Sequence, residues 1–209
     1  MFNDFKGFAP DGKPLLISVP PTLLISALAL VPDVNRCVTL DAKAPGDLVY
    51  VAGLTREELG ASEYYAWRGE QERGERWIGR NVPQVRPDET MPLYRALFAA
   101  IQEGLIASAA ACGLGGLALA CARTAMAGNL GLKLDFSLLP VCGDSSAQAR
   151  LFGESAGRLL LTVDPAKAAR FESLLSGTAC ARVGLVTDDG FLRITAGGAR
   201  VNAAVADIK

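Results

Sequence analysis

Residues 159–194 read LLLTVDPAKAARFESLLSGTACARVGLVTDDGFLRI, and this stretch decides the fold class. The run from Leu159 to Val163 is short and aliphatic, which predicts a strand. Asp164 and Pro165 then favour the start of a helix, which we expect to run to Leu175. The same stretch predicts two more strands, around 182–186 and 191–194. Interleaved strands and helices indicate an α+β fold, a mixed β-sheet flanked by helices.

The preceding residues predict a less regular series of elements. Asp47 to Leu54 has the pattern of a strand that ends near glycine, and Thr55 to Glu58 could open a helix. Arg68 to Asp88 is rich in charge and is interpreted as a flexible segment. Apolar residues spaced four apart predict one long amphipathic helix from Met91 to Ala110. Further elements are expected in this order: a break at 113–116, a helix at 117–127 with a C-cap at Gly128 and Asn129, and a strand at 131–136.

Leu15 to Val31 is aliphatic around the corner Pro20-Pro21, which predicts two strands of the buried type. Without a sheet to receive them they would form an exposed apolar pair. Such a pair would fold back or associate with another copy, which makes a homodimer a candidate state. The uncharged runs 14–32 and 104–122 approach the length of a membrane span, but prolines interrupt the first and alanine and glycine dominate the second. We expect buried core and no membrane contact.

The charges of the chain give little reason to expect a nucleic acid or an anionic membrane as partner. Lysine and arginine total 21 against 22 acidic residues, so the summed electrostatic field is weak. The five cysteines are widely spaced, and the chain has no histidine to complete a zinc site. Met1 to Lys13 mixes charge, glycine and proline, unlike a secretory signal. We therefore expect a cytoplasmic protein with reduced thiols and no metal site.

Gly153 to Gly157 reads GESAG and fits the pattern of the serine-hydrolase nucleophile elbow. The chain has no histidine to act as general base, and the predicted order here is helix then strand, the reverse of an elbow. A serine hydrolase is therefore not favoured.

Gly113 to Ala118 fits a dinucleotide-binding fingerprint, and Asp135 lies near the distance of a ribose-binding acid. That fingerprint must follow a strand, whereas the residues before Gly113 continue a helical pattern. A tight turn between two helices is therefore the favoured interpretation. The backbone amides of Gly115 and Gly116 could still approach a phosphate at the start of the next helix, which we keep as a hypothesis.

Eight ordered segments resemble the formylglycinamidine ribonucleotide synthase family, within the group related to aminoimidazole ribonucleotide synthetase. The Leu-Gly-Xaa-Ser-Glu-Tyr-Tyr run and the two glycine-containing segments near residue 120 carry most of the resemblance. The segments are FNDFKG (2–7), ISVPPTLL (17–24), APGD through Gly53 (44–53), ELGASEYY (58–65), LYRAL (93–97), GGLA (115–118), AGNLG (127–131) and ESAGR (154–158).

The resemblance implies that residues 1–44 are the tail of an N-terminal-type synthetase domain and residues 45–209 are a C-terminal-type domain, with an aminoimidazole ribonucleotide synthetase C-terminal-domain-like fold. The parent enzyme would use ATP and magnesium to convert formylglycinamide ribonucleotide to the amidine. Its partners would be the remaining synthetase domains and a glutaminase component that supplies ammonia.

The sequence also departs from that family at chemically important positions. Many relatives read His-Asp-Xaa-Ser-Asp-Gly-Gly-Leu where this chain has AACGLGGL at 110–117. In the catalytic half of the family the corresponding aspartate binds magnesium, which Ala111 cannot do. A Glu-Ser-Gln segment contacts substrate there, and Ala156 replaces its amide. The resemblance therefore implies no catalytic residue and no metal ligand on this chain.

Five residues remain as vestigial candidates for binding substrate or phosphate: Gly115, Gly116, Glu154, Ser155 and Arg158. The last three could instead complete a hydrogen-bonded turn before the strand at Leu159. We expect a fragment that is inactive alone. The alternatives are a non-catalytic structural or nucleotide-binding module and another ATP-dependent enzyme of the same superfamily.

Overall fold

The computed structural model describes residues 4–18, 24–31 and 33–208. The chain divides into two compact units, Met1–Val34 and Asn35–Lys209. The boundary that the sequence predicts between residues 44 and 45 stays a prediction.

The first unit contains a β-hairpin. Strand β1 (Phe5–Phe8) pairs antiparallel with strand β2 (Pro14–Ile17), and Gly12 provides the positive φ of +81° that the turn requires. The apolar side chains of both strands are largely exposed, and Phe8 is 75% exposed. A two-stranded hairpin is marginally stable by itself in water, so this surface is suited to contact with another element.

The expectation of two buried strands within 15–31 is wrong for the described residues. One strand occurs there, which pairs with the upstream strand β1 across a glycine turn, and its residues are exposed. Residues 24–31 are exposed and have no regular secondary structure. The corner Pro20-Pro21 lies outside the described residues, as do parts of the resembling segments 2–7 and 17–24.

The second unit is built on a seven-stranded mixed sheet. Its strands are β3 (Leu48–Ala52), β4 (Ile106–Ala111), β5 (Gly131–Asp135), β6 (Leu159–Val163), β7 (Cys180–Thr187), β8 (Phe191–Ala196) and β9 (Ala199–Ala204). Its α-helices are α1 (Glu63–Arg73), α2 (Pro87–Gln102), α3 (Gly116–Gly128), α4 (Ala147–Phe152) and α5 (Ala168–Leu174). The strand order is β4-β6-β3-β7-β5-β8-β9, with β5 and β8 parallel and the other neighbours antiparallel.

Helices cover both faces of this sheet because successive side chains of a central strand point to opposite sides. On β3, Val49 packs in the same core cluster as Leu117 of α3. Its neighbour Tyr50 belongs to the other cluster, with Leu93 of α2 and Phe171 of α5. The rings of Tyr50 and Phe171 meet edge to face with centroids 4.9 Å apart. The predicted α+β fold, a mixed sheet flanked by helices, is confirmed.

The prediction of one long helix from Met91 to Ala110 is wrong. Helix α2 ends at Gln102, Gly104 turns the chain with a φ of +66°, and the following residues form the edge strand β4. The alanine-rich sequence of β4 suits a helix locally, but the strand pairs antiparallel with β6. A buried hydrogen bond of 2.6 Å between the hydroxyls of Ser108 and Thr162 supports that pairing. Long-range pairing therefore overrides local propensity here.

Two predictions between residues 55 and 88 are also wrong. Thr55 to Glu58 does not open a helix, because the backbone of Thr55 instead bonds to Pro140 and Cys142. Helix α1 begins at Glu63, where the Ser62 hydroxyl accepts the N–H of Tyr65 as an N-cap. The first part of the segment 68–88, interpreted as flexible, belongs to that helix.

Most elements after residue 113 are confirmed. Strand β6 has the predicted bounds, β5, β7 and β8 lie where they are expected, and Asn129 ends α3 in the left-handed conformation. The helix predicted after Asp164 is a short 3-10 turn followed by α5. Within the part of the chain that the structure describes, none of the helices has the length and apolar character that a membrane crossing requires.

Candidate functional site

The glycine-rich turn at residues 113–116 joins β4 to α3. A strand therefore precedes this turn, contrary to the prediction of a helix, and the order strand, turn, helix is the one a phosphate-binding loop requires. Gly115 and Gly116 have positive φ values of +78° and +66°. A Cβ on Gly116 would lie 2.5 Å from the carbonyl oxygen of Gly153, so close packing of this turn on the loop after α4 accounts for that glycine.

The backbone N–H groups of Gly115 and Gly116 already donate hydrogen bonds to protein oxygens. The N–H of Gly115 donates to Oε1 of Glu154 at 2.8 Å, and the N–H of Gly116 donates to the carbonyl of Gly113 at 3.0 Å. The same Glu154 oxygen accepts the N–H of Glu63 at 3.0 Å. The Glu154 carboxylate thus lies at the starts of both α1 and α3, where a negative charge is favourable. It takes the position that a bound anion would need.

Ser155 is buried and bonded to a neighbouring loop. Its hydroxyl oxygen accepts the backbone N–H of Arg56 at 3.1 Å and lies 3.5 Å from the carbonyl of the same residue. The surrounding order is α4, loop, then β6, which confirms the helix-then-strand context predicted for GESAG. The geometry of a nucleophile elbow, with its strand before the serine, is absent from this described segment.

Arg158 is the largest fully buried side chain among the described residues, with 1% of its surface exposed. Its guanidinium donates to Oγ1 of Thr55 at 3.0 Å, to the carbonyl of Ser155 at 3.3 Å and to the carbonyl of Gly153. Burial away from water lowers the pKa of Arg158 from its usual value. The side chain fixes the loop 153–158 against the loop that follows β3.

The space beside Ala156 is very small. The cavity that it lines, together with Gly53 and Leu54, has a volume of about 30 Å³. That is about the volume one water molecule occupies in the liquid. A nucleotide does not fit there unless the surrounding loops move.

The segment that replaces the acidic family motif lies beside a second cavity of about 350 Å³. Ala111 and Gly113 line it, and Arg123 of α3 supplies its charge. Among the described residues, no group of three or more histidine, cysteine, aspartate or glutamate side chains is placed to hold a metal ion. The residues around Ala111 do not fit a magnesium site, because magnesium requires oxygen ligands.

The cysteine nearest the glycine-rich turn has a thiol whose pKa is raised by burial. Cys112 directly follows β4 and is buried, and loss of contact with water raises the pKa of its thiol to about 11. Cys121 of α3 is buried as well, whereas Cys37 and Cys142 are exposed. All five cysteines are free in the structure.

Sequence reasoning did not find the partners of the candidate residues. Glu63, Thr55 and Arg56 lie about ninety or more residues from the loop that they contact. A single sequence gives no signal for such pairs. The structure brings Gly115, Gly116, Glu154, Ser155 and Arg158 together in one cluster of loops, where β3 and β4 end and β6 begins.

Comparisons with known proteins identify relatives over most of the chain. Residues 44–197 match the family described as AIR synthase related protein, C-terminal domain. A phosphoribosylformylglycinamidine synthase subunit PurL from Limosilactobacillus reuteri is 29% identical over 192 residues, which cover 92% of this chain and 24% of that protein. The chain thus spans about a quarter of the length of this relative.

Solved structures share the fold at lower identity. Thermotoga maritima PurL complexed with FGAR has a TM-score of 0.69 and 20% identity, covering 84% of this chain and 30% of that one. The same protein has also been solved complexed with ATP. Escherichia coli HypE, a hydrogenase maturation protein, has a TM-score of 0.55 and 17% identity, covering 81% of this chain and 52% of that one.

Proposed function

The chain belongs to the AIR synthase related protein, C-terminal domain family, and on that premise we propose that it is the C-terminal-type part of a phosphoribosylformylglycinamidine synthase. Its similarity to a PurL subunit over 92% of its length supports this assignment and a role in purine biosynthesis. Residues 1–44 would then be the tail of an N-terminal-type domain and 45–209 the C-terminal-type domain. We place the protein in the cytoplasm, with the remaining synthetase domains and a glutaminase component as partners.

We further propose that the chain does not catalyse the ligase reaction alone. The observation that carries this proposal is that the candidate side chains are already hydrogen-bonded to other groups of the protein. The Glu154 carboxylate caps two helices, the Ser155 hydroxyl bonds to the backbone of Arg56, and the Arg158 guanidinium is buried among protein oxygens. Groups used in this way are poorly placed to bind a substrate, so we interpret the loop 153–158 as structural.

The chemistry of the parent reaction would then belong to the other synthetase domains. Activation of an amide oxygen by ATP requires a divalent cation and fixed positive donors around the transferred phosphoryl group. The side chains of Ala111 and Ala156 provide neither a cation ligand nor a hydrogen-bond donor. ATP and magnesium are therefore cofactors of the proposed parent enzyme, and we assign no step to them on this chain.

An activity assay tests this proposal. The purified chain is incubated with formylglycinamide ribonucleotide, magnesium-ATP and either glutamine or ammonia, and ADP release is followed. We expect no release above a blank without the ribonucleotide, while circular dichroism and cooperative urea unfolding verify that the chain is folded. Ribonucleotide-dependent ADP release by the folded chain would show that it carries a complete site.

A second candidate function is a nucleotide-binding module without chemistry. The observation that favours it is the strand, glycine-rich turn and helix order at residues 106–128. Here Glu154 would have to leave the amide of Gly115 before a phosphate could approach. Calorimetric titration with magnesium-ATP of the wild type and of Glu154→Ala distinguishes this function from a purely structural role. Tighter binding by the variant would support a nucleotide site that the carboxylate blocks.

The exposed hairpin of the first unit is the surface that we propose for assembly. Its apolar side chains are 54% exposed at Phe5 and 60% exposed at Leu16. In the parent enzyme the remaining synthetase domains would cover them, and in the isolated chain a second copy could do so. Sedimentation velocity over a range of concentrations distinguishes a monomer from a homodimer.

A further inference from the structure

We propose that a cavity next to Arg80 binds the phosphate group of a small phosphorylated metabolite. This arginine cavity has a volume of about 410 Å³ and lies between the loop after β3 and the segment before α2. Three arginines, Arg56, Arg80 and Arg86, line it together with the amide side chains of Asn81 and Gln84. The proposal does not depend on the function proposed above, because none of these residues belongs to the loop 153–158.

Two of the three guanidinium groups are fixed by carboxylates. Arg56 donates from one nitrogen to both oxygens of Glu89, at 2.9 and 2.8 Å. Arg86 donates to Oε1 of Glu58 at 3.0 Å. A guanidinium has five N–H donors, so each of these arginines keeps donors for another partner. The ion pairs hold the two groups in position before any ligand arrives.

Arg80 has no side-chain hydrogen bond or ion pair within the part of the chain that the structure describes. Its backbone is nevertheless firmly held, because the N–H of Gly60 donates to the carbonyl of Asn81 at 2.7 Å and that of Val82 donates to the carbonyl of Arg80 at 3.1 Å. A Cβ on Gly60 would lie 2.7 Å from the carbonyl carbon of Asn81, so the two segments are in direct contact. The unpaired guanidinium therefore extends from a fixed backbone.

Three of the four carboxylate oxygens of the cavity accept hydrogen bonds from protein groups. Glu57 accepts the backbone N–H of Ser146 at 2.7 Å with one oxygen and its hydroxyl at 2.8 Å with the other. The fourth oxygen, Oε2 of Glu58, has no hydrogen-bond partner among the described residues, but it is buried and not accessible to a ligand. The groups left available to a ligand are thus mostly N–H donors. A ligand group rich in acceptors is the chemical complement of such a surface.

The number of arginines favours phosphate over carboxylate. A carboxylate offers two oxygens in one plane, whereas a phosphate monoester offers three oxygens in different directions to three guanidinium groups, one from the loop after β3 and two from the segment before α2. A cavity of 410 Å³ is within the size range of small-molecule sites, and it leaves room for a sugar beyond the phosphate. We therefore use ribose 5-phosphate as the probe.

Cys142 provides a direct readout because its exposed thiol lines the arginine cavity. The rate of iodoacetamide labelling at Cys142 is measured by peptide mass spectrometry as ribose 5-phosphate is added at constant ionic strength. Exposed Cys37 does not line the cavity and serves as the internal control. We expect ribose 5-phosphate to slow labelling of Cys142 several-fold and saturably, with Cys37 unaffected and with no protection by ribose.

The variant Arg80→Gln tests the role of the unpaired guanidinium. We expect it to raise the concentration for half-protection roughly tenfold or more, as loss of a charge-assisted hydrogen bond requires. Arg200→Gln is the matched control, since Arg200 is an exposed arginine on the edge strand β9 and should leave protection unchanged. Absence of protection, equal slowing at Cys37, protection by ribose alone, or unchanged protection in Arg80→Gln would each overturn the proposal.

Discussion

Replacing Arg158 by methionine should destabilise the second unit strongly. The change removes three hydrogen bonds and leaves Oγ1 of Thr55 and the carbonyls of Gly153 and Ser155 without that donor. Each buried polar group that loses its partner costs about 1–3 kcal/mol. Removal of a charge that is costly to bury offsets part of this loss. We expect the free energy of unfolding to fall by about 3–5 kcal/mol.

Urea unfolding followed by tryptophan fluorescence measures this change, because Trp67 and Trp77 both lie in the second unit. The matched control is Arg123→Met, at an exposed arginine of α3, which should change the free energy of unfolding by no more than about 0.5 kcal/mol. A loss below about 1 kcal/mol in Arg158→Met would refute the structural interpretation, because an arginine held for ligand binding can be removed with little loss of stability.

Three further changes test the same loops. Glu154→Ala removes the carboxylate at the starts of α1 and α3, so urea unfolding should show a loss of about 1–2 kcal/mol, and an unchanged midpoint would exclude the capping role. Gly116→Ala places a Cβ against the carbonyl of Gly153 at a positive φ, so it should lower the free energy of unfolding by at least about 2 kcal/mol. Gly113 has open space around it, so the control Gly113→Ala should lower the free energy of unfolding by less than about 1 kcal/mol. Equal losses in the two variants would contradict the packing argument. Burial holds the pKa of the Cys112 thiol at about 11 in the folded state, against 9.0 for the free group. The protonated thiol therefore contributes to the free energy of unfolding below pH 9, and this contribution is lost as the pH rises from 9 to 11. The wild type should therefore lose about 2–3 kcal/mol relative to Cys112→Ala over that range, and parallel pH profiles would be inconsistent with a buried thiol.

The fold could be predicted from sequence wherever local signals and long-range pairing agree. Residues 159–163 are aliphatic and followed by Asp164 and Pro165, and they form a strand with the predicted bounds. Residues 106–111 are alanine-rich, and only their pairing with β6, about fifty residues away, makes them a strand. The short helix α4 has six residues, too few for a helical periodicity to be recognised.

The candidate site could be predicted only in part. The motif at 153–158 identified Glu154, Ser155 and Arg158 as candidates. The departures from the family at Ala111 and Ala156 predicted that the metal ligand and the substrate-binding amide are missing. The hydrogen bonds of Glu154 to Glu63 and Gly115 depend on how distant loops meet in the fold. The arginine cavity likewise joins residues 56–58, 80–86 and 142, which no spacing rule connects.

The most direct test of the proposed function is ADP release by the purified, folded chain with magnesium-ATP, ammonia and a range of formylglycinamide ribonucleotide concentrations. We predict a rate equal to that of the blank at every concentration, because the residues of the loop 153–158 are used within the protein. A rate that saturates with the ribonucleotide and is lost in Ser155→Ala would contradict the proposal and assign that loop to catalysis.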